Sequence, residues 1–89
     1  MEEKTHVLIV EDETRIARFL QMELEHEGFT AEIEGNGTRA YERIIQENFD
    51  IILLDVMLPG MDGIEICRRV RTVSNVPIIM LTARDAVED

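Results

Sequence analysis

The chain has no tryptophan, one tyrosine, three phenylalanines, one cysteine and two prolines in its 89 residues. Each shortage excludes something. With Cys67 as the single thiol, no intrachain disulfide can form, which fits a reducing compartment. No apolar run approaches the roughly 20 residues that cross a bilayer. The opening Met1-Glu2-Glu3-Lys4 lacks the pattern of a signal peptide, so no membrane partner and a cytoplasmic location are expected. Basic residues are scarce, 9 against 19 acidic ones, for a formal charge of −10. Contact with phosphates needs a basic surface, so no nucleic acid is expected to bind this segment. An anionic membrane surface is disfavoured for the same reason.

What the chain does have is apolar material, 45% of its residues. That suffices for the core of one small domain and argues against disorder. Two runs, His6-Val7-Leu8-Ile9-Val10 and Ile51-Ile52-Leu53-Leu54, are apolar without alternation. Such runs suit strands buried on both faces of a parallel sheet. Thr14 to His26 repeats Ile16, Phe19, Leu20 and Leu24 at helical spacing, and Gly28 stands where it stops the helix. Phe29 to Glu34 alternates apolar and polar, as an edge strand does. Thr38 to Glu47 forms a second helix with Ala40, Tyr41, Ile44 and Ile45 on its apolar side. A loop containing Pro59-Gly60 and Asp62-Gly63 leads to a third helix from Ile64 to about Arg71. A last apolar run covers 77–81. The order βαβαβαβ predicts an α/β domain with a parallel sheet and right-handed crossovers.

The chemistry concentrates at two strand ends. The first run ends in Glu11-Asp12-Glu13 and the second in Asp55. Ligand sites of open parallel sheets lie outside the carboxyl ends of the strands, so Glu11, Asp12 and Asp55 are expected at one rim. Crowded carboxylates raise one another's pKa, and a divalent cation relieves the repulsion. Oxygen donors with no His or Cys at hand favour Mg²⁺ or a similar hard ion such as Mn²⁺. The plainer alternative is that these acids cap helices. Capping accounts for Glu11 to Glu13, but not for Asp55, whose next helix begins beyond Pro59. A carboxylate beside Mg²⁺ is also a competent nucleophile toward a phosphoryl group. Thr82 ends the last run on the same rim, where its hydroxyl suits a phosphoryl oxygen or a local backbone bond.

Gly35-Asn36-Gly37-Thr38-Arg39-Ala40 matches the G-x-G-x-x-A pattern of dinucleotide-binding turns, with Asp55 at the spacing of a ribose-binding acid. The context is wrong: the strand before it is polar and alternating, and Glu34 directly before the glycine opposes a pyrophosphate. A helix-initiating turn suffices. Cys67 fits a small core residue. His6 and His26 have no ligand at metal spacing. Arg68, Arg69 and Arg71 suit the exposed end of a helix.

Three blocks together carry a family resemblance: Val7 to Glu13, Asp50 to Gly63, and Pro77 to Ala83. In order and spacing they resemble a response-regulator receiver domain, of the kind joined to winged-helix transcriptional regulators. The resemblance implies a flavodoxin-like, doubly wound parallel sheet. It implies that Asp55 accepts a phosphoryl group from a histidine kinase, and that Glu11, Asp12, Asp55 and the Met57 carbonyl hold Mg²⁺. It further implies that Thr82 and Ala83 bind the phosphoryl group and that Pro59 and Gly63 shape the loop after Asp55. The family pattern continues through a further helix, strand and helix, so residues 1–89 are expected to be an incomplete receiver domain with impaired signalling. Such a module is not an enzyme beyond its own phosphorylation and dephosphorylation. Two other classes compete. A Mg²⁺-dependent phosphohydrolase would place a second Asp two residues after Asp55, where Met57 stands. An assembly fragment would form a homo-oligomer through the edge strand 76–81 or the face beside helix 14–26.

Overall fold

The computed structural model describes residues 4–81. Seven elements follow one another: β1 (His6–Val10), α1 (Thr14–His26), β2 (Thr30–Glu34), α2 (Gly37–Gln46), β3 (Ile51–Leu54), α3 (Gly63–Val70) and β4 (Ile78–Met80). The helix starts are chemically marked. Glu13, Asn36 and Asp62 stand just before α1, α2 and α3, and their side-chain oxygens accept the backbone N–H of Arg15, Arg39 and Glu65. Each satisfies a donor that the first helical turn leaves unpaired. Gly28, at φ 98°, turns the chain out of α1 in the left-handed region.

All strand pairs are parallel, in the order β2-β1-β3-β4. This is the doubly wound arrangement. On one face Leu8, Val10, Ile52 and Leu54 pack against Ala40 and Ile44 of α2 and Ile66 and Val70 of α3. On the other, Val7, Ile9 and Ala31 meet Leu20 and Leu24 of α1. The alternation of β2 does mark an edge. Its outward Glu32 contacts His6 at 2.6 Å and pairs with Arg43 of α2, which also bonds Glu47. The Arg43 hydrogen bond, followed by that to His6, holds the Glu32 carboxyl below its usual range.

Three expectations need correction. On α2, Ile45 is 44% exposed, and the inward side is Ala40 and Ile44 with Tyr41 half-buried beside them. Ile16 and Phe19 do not join the core: they are 46% and 62% exposed. The inward stripe of α1 is Ala17, Leu20 and Leu24, with Gln21 donating to the Ala31 carbonyl at 3.0 Å. Apolar spacing alone did not locate the face, because α1 lies over β2 and β1 rather than over the sheet centre. The β3 run is likewise not buried on both faces. Ile51 and Leu53 are half-buried, because among the described residues only α1 covers their side. In β4, Ile79 is 53% exposed.

Leu8→Ala should therefore cost about 2–5 kcal/mol, the range for a fully buried leucine. Phe19→Ala should stay within roughly 0.5 kcal/mol, as exposed substitutions do. Urea unfolding of both variants checks this, and equal losses would contradict the placement of α1.

Candidate phosphoryl and metal site

In the order β2-β1-β3 the crossover from β1 to β2 runs through α1 on one face of the sheet, and the crossover from β2 past β1 to β3 runs through α2 on the other. At such a switch point a crevice opens above the carboxyl ends of the strands. The register sets Val10 beside Leu54 and Leu54 beside Met80. The next residue of each strand therefore meets at one level. The Glu11 N–H donates to the Glu34 carbonyl at 3.1 Å, the Asp55 N–H to Val10 at 2.9 Å and the Leu81 N–H to Leu54 at 2.8 Å. The ladder thus reaches into the acidic positions and fixes their backbones.

Glu11, Asp12 and Asp55 come together as the sequence suggests. One carboxylate oxygen from each lies within 4.8 Å of the others. Glu11 is 3% exposed and Asp55 2%, the two buried charged residues among those described, while Asp12 faces solvent. Burial raises the pKa of Glu11 most. The Asp55 charge, a hydrogen bond to Asp55 and the Asp12 charge raise it further. The Glu13 N–H, donating to Glu11 at 3.0 Å, pulls the other way. The balance disfavours the ionised form. Two buried acids and a third at the mouth make a set of hard oxygen donors without nitrogen or sulfur, which fits Mg²⁺ or Mn²⁺.

The plainer capping role belongs elsewhere. Glu13 caps α1 and Asp62 caps α3. That leaves Glu11 and Asp55 without a helix-capping explanation. Met57 lies two residues past Asp55 with an exposed side chain. The Pro59 carbonyl accepts the Gly37 N–H at 2.9 Å, and the Gly63 N–H donates to Val56 at 2.7 Å. Gly63 stands directly behind Asp55: a Cβ there would lie 2.2 Å from the Asp55 carbonyl oxygen. Thr82 and Ala83 lie outside the described residues.

Sequence reasoning missed the partners of this loop. Gly37 and Gly60 were assigned only to turns, yet they bring two backbones into contact. The doubled glycines around Asn36 were the available signal, and they pointed first to a nucleotide motif.

The family described as the response regulator receiver domain matches residues 7–89. An uncharacterized transcriptional regulatory protein of Bacillus subtilis (strain 168), YkoG, is 52% identical over 88 residues. The match spans 98% of this chain and 39% of that protein, so the chain corresponds to well under half of the relative. Among solved structures, the Francisella response regulator 1452 receiver domain superposes with a TM-score of 0.88 at 32% identity, over 94% of this chain and 70% of that one. The response regulator TrrA of Thermotoga maritima, solved in complex with Mg(2+)-BeF, gives 0.84 at 34% identity, over 91% and 70%. With the family match running over residues 7–89 and the fold shared with solved receiver domains at above 30% identity, the chain belongs to the response regulator receiver domain family.

Proposed function

We propose that this chain is the phosphoacceptor module of a two-component response regulator, taking a phosphoryl group from a histidine kinase onto Asp55 in the cytoplasm. The observation that carries the reading is the burial of Asp55 and Glu11 side by side at the switch point, with Asp12 at the mouth. Burial and the Asp55 and Asp12 charges disfavour ionised Glu11, and perturbed carboxyls of this kind concentrate at functional sites. Glu11, Asp12, Asp55 and the Met57 carbonyl are the residues that would hold Mg²⁺ or Mn²⁺. When bound, the cation neutralises charge on the attacking carboxylate and on the phosphoryl oxygens.

The chain's own part is then simple. An Asp55 carboxylate oxygen attacks phosphorus, forming an O–P bond. The N–P bond of the phosphohistidine breaks, and its electron pair returns to the imidazole. The hydrogen bond from Asp55 N–H to Val10 and the close packing of Gly63 behind its carbonyl fix the nucleophile's backbone. Thr82 and Ala83, which follow Leu81 in the sequence, are proposed to bind the phosphoryl oxygens. Pro59 and Gly63 are proposed to shape the loop. A phosphohydrolase reading lacks the second acid, since Met57 occupies its position.

A second reading is supported by the exposed apolar side chains. Ile16, Phe19 and Met22 on α1 and Ile79 and Met80 on β4 are all exposed. Exposed apolar surface at these two separate places, on α1 and along the edge strand, suits contact with another copy. A homo-oligomer formed through strand 76–81 or the face beside α1 would bury it.

Incubation with acetyl phosphate and Mg²⁺, followed by intact mass, should add one phosphoryl group. Asp55→Asn should reduce the label to background, while Asp62→Asn, which still caps α3, should leave it unchanged. Label that survives Asp55→Asn would overturn the assignment. For the second reading, light scattering over a range of concentrations should show the mass rising toward a dimer. A constant monomer mass would rule that assembly out.

A further inference from the structure

The loop joining β3 to α3 carries the Met57 carbonyl, and its Leu58 and Met61 side chains pack against the core. Its far end is fixed where the Gly63 N–H donates to Val56 at 2.7 Å. Its middle is fixed by another element. The Gly37 N–H, at the first position of α2, donates to the Pro59 carbonyl at 2.9 Å. Space at this contact is fully used. A Cβ on Gly37 would lie 1.7 Å from the Met61 carbonyl oxygen, 2.7 Å from its carbon and 3.0 Å from its nitrogen. These are backbone atoms, so no rotamer change relieves the clash. From the other side, Gly60 sits at φ 82°, and a Cβ there would lie 2.9 Å from Thr38 Oγ1 and 3.2 Å from the Thr38 nitrogen. One glycine on each partner thus lets two backbones touch. The same turn reaches the first acidic segment as well. A Cβ on Gly35 would sit 3.6 Å from both the Asp12 Cα and the Glu11 carbonyl oxygen, an ordinary contact.

We propose that Gly37 and Gly60 are positioning residues for the cation site: the turn that opens α2 clamps the loop after Asp55 and holds the Met57 carbonyl where it completes the carboxylate set. This gives the G-x-G pattern before α2 a role that nucleotide binding does not supply. The inference rests on the proposed reading that Glu11, Asp12, Asp55 and Met57 bind a divalent cation. A backbone ligand has no side-chain torsion with which to adjust. Its position is set by whatever fixes its loop, and supporting contacts of this kind tune cation affinity. A purely structural role predicts something different: loss of stability with the affinity of the folded protein unchanged.

The test is a Mg²⁺ titration followed through the amide signals of residues 11, 12 and 55, which needs no phosphorylation. It is run on the parent chain, Gly37→Ala, Gly60→Ala and Gly28→Ala. Gly28 is the control. It too has a left-handed φ, 98°, but nothing lies within 4 Å of an added methyl, and it precedes β2 at the opposite rim. Gly37→Ala and Gly60→Ala should each weaken Mg²⁺ binding by about tenfold or more, as loss of a supporting contact does. Gly28→Ala should lower stability and bind as the parent does. If Gly37→Ala fails to fold, Gly60→Ala decides. Parent-like affinity in the clamp variants, or equal weakening in Gly28→Ala, would overturn the clamp while leaving the cation site intact. A parent that does not respond to Mg²⁺ would instead overturn the cation reading, and the clamp's role with it.

Discussion

Two carboxylates buried side by side are the constraint on which the rest of this domain turns. Removing Glu11 from water and holding it beside Asp55 raises the cost of ionising Glu11, with burial the larger cause. The fold supplies that arrangement through its strongest element. The β1–β3 ladder continues past the last apolar residues, so the acids cannot move apart without breaking backbone hydrogen bonds such as Asp55 to Val10. The apolar floor beneath them, Leu8, Val10, Ile52 and Leu54, is fully buried and packed under α2 and α3. A stable core is thus used to hold an unfavourable pair, whose negative charge a bound cation would offset.

The surrounding loops follow from the same need. Glu13, Asn36 and Asp62 each close a helix start, and Glu11 accepts the N–H of Glu13 just ahead of α1. Gly63 lets α3 begin directly behind Asp55, and Gly37 lets α2 begin against the loop that follows it. The two faces of the sheet differ in finish. The α2–α3 face is closed, whereas the α1 face leaves Ile51 and Leu53 half-covered and Ile79 exposed among the described residues.

Much of this was legible in the sequence because it depends on local rules. Unbroken apolar runs gave the central strands, alternation gave β2 as the edge, and the acids at strand ends gave the site. The bounds of β1 and α1 agree with the sequence reading, since Glu13 and Gly28 mark them chemically. What escaped was tertiary. The choice of Ala17 over Ile16 and Phe19 as the inward residue of α1 depends on where the helix lies across the sheet, and no periodicity encodes that. The backbone contact between Gly37 and Met61 joins segments far apart in the chain, and the sequence offered a better-known meaning for the same glycines.

The central claim is that the fold holds Glu11 and Asp55 against their mutual repulsion until a cation relieves it. A carboxyl whose pKa is raised by folding adds stability below the ordinary carboxylate range and subtracts it once the pH passes the raised value. The pKa of Glu11 is raised by burial and by the neighbouring Asp55 and Asp12 charges, so its contribution is lost by neutral pH while the repulsion in the cluster remains. Thermal unfolding of the parent and of Asp55→Asn at neutral pH, with and without millimolar Mg²⁺, tests this most directly. Without Mg²⁺ the Asn variant should melt higher than the parent, and Mg²⁺ should raise only the parent. An Asn variant that melts lower without Mg²⁺, or that gains as much from Mg²⁺ as the parent, would contradict the account.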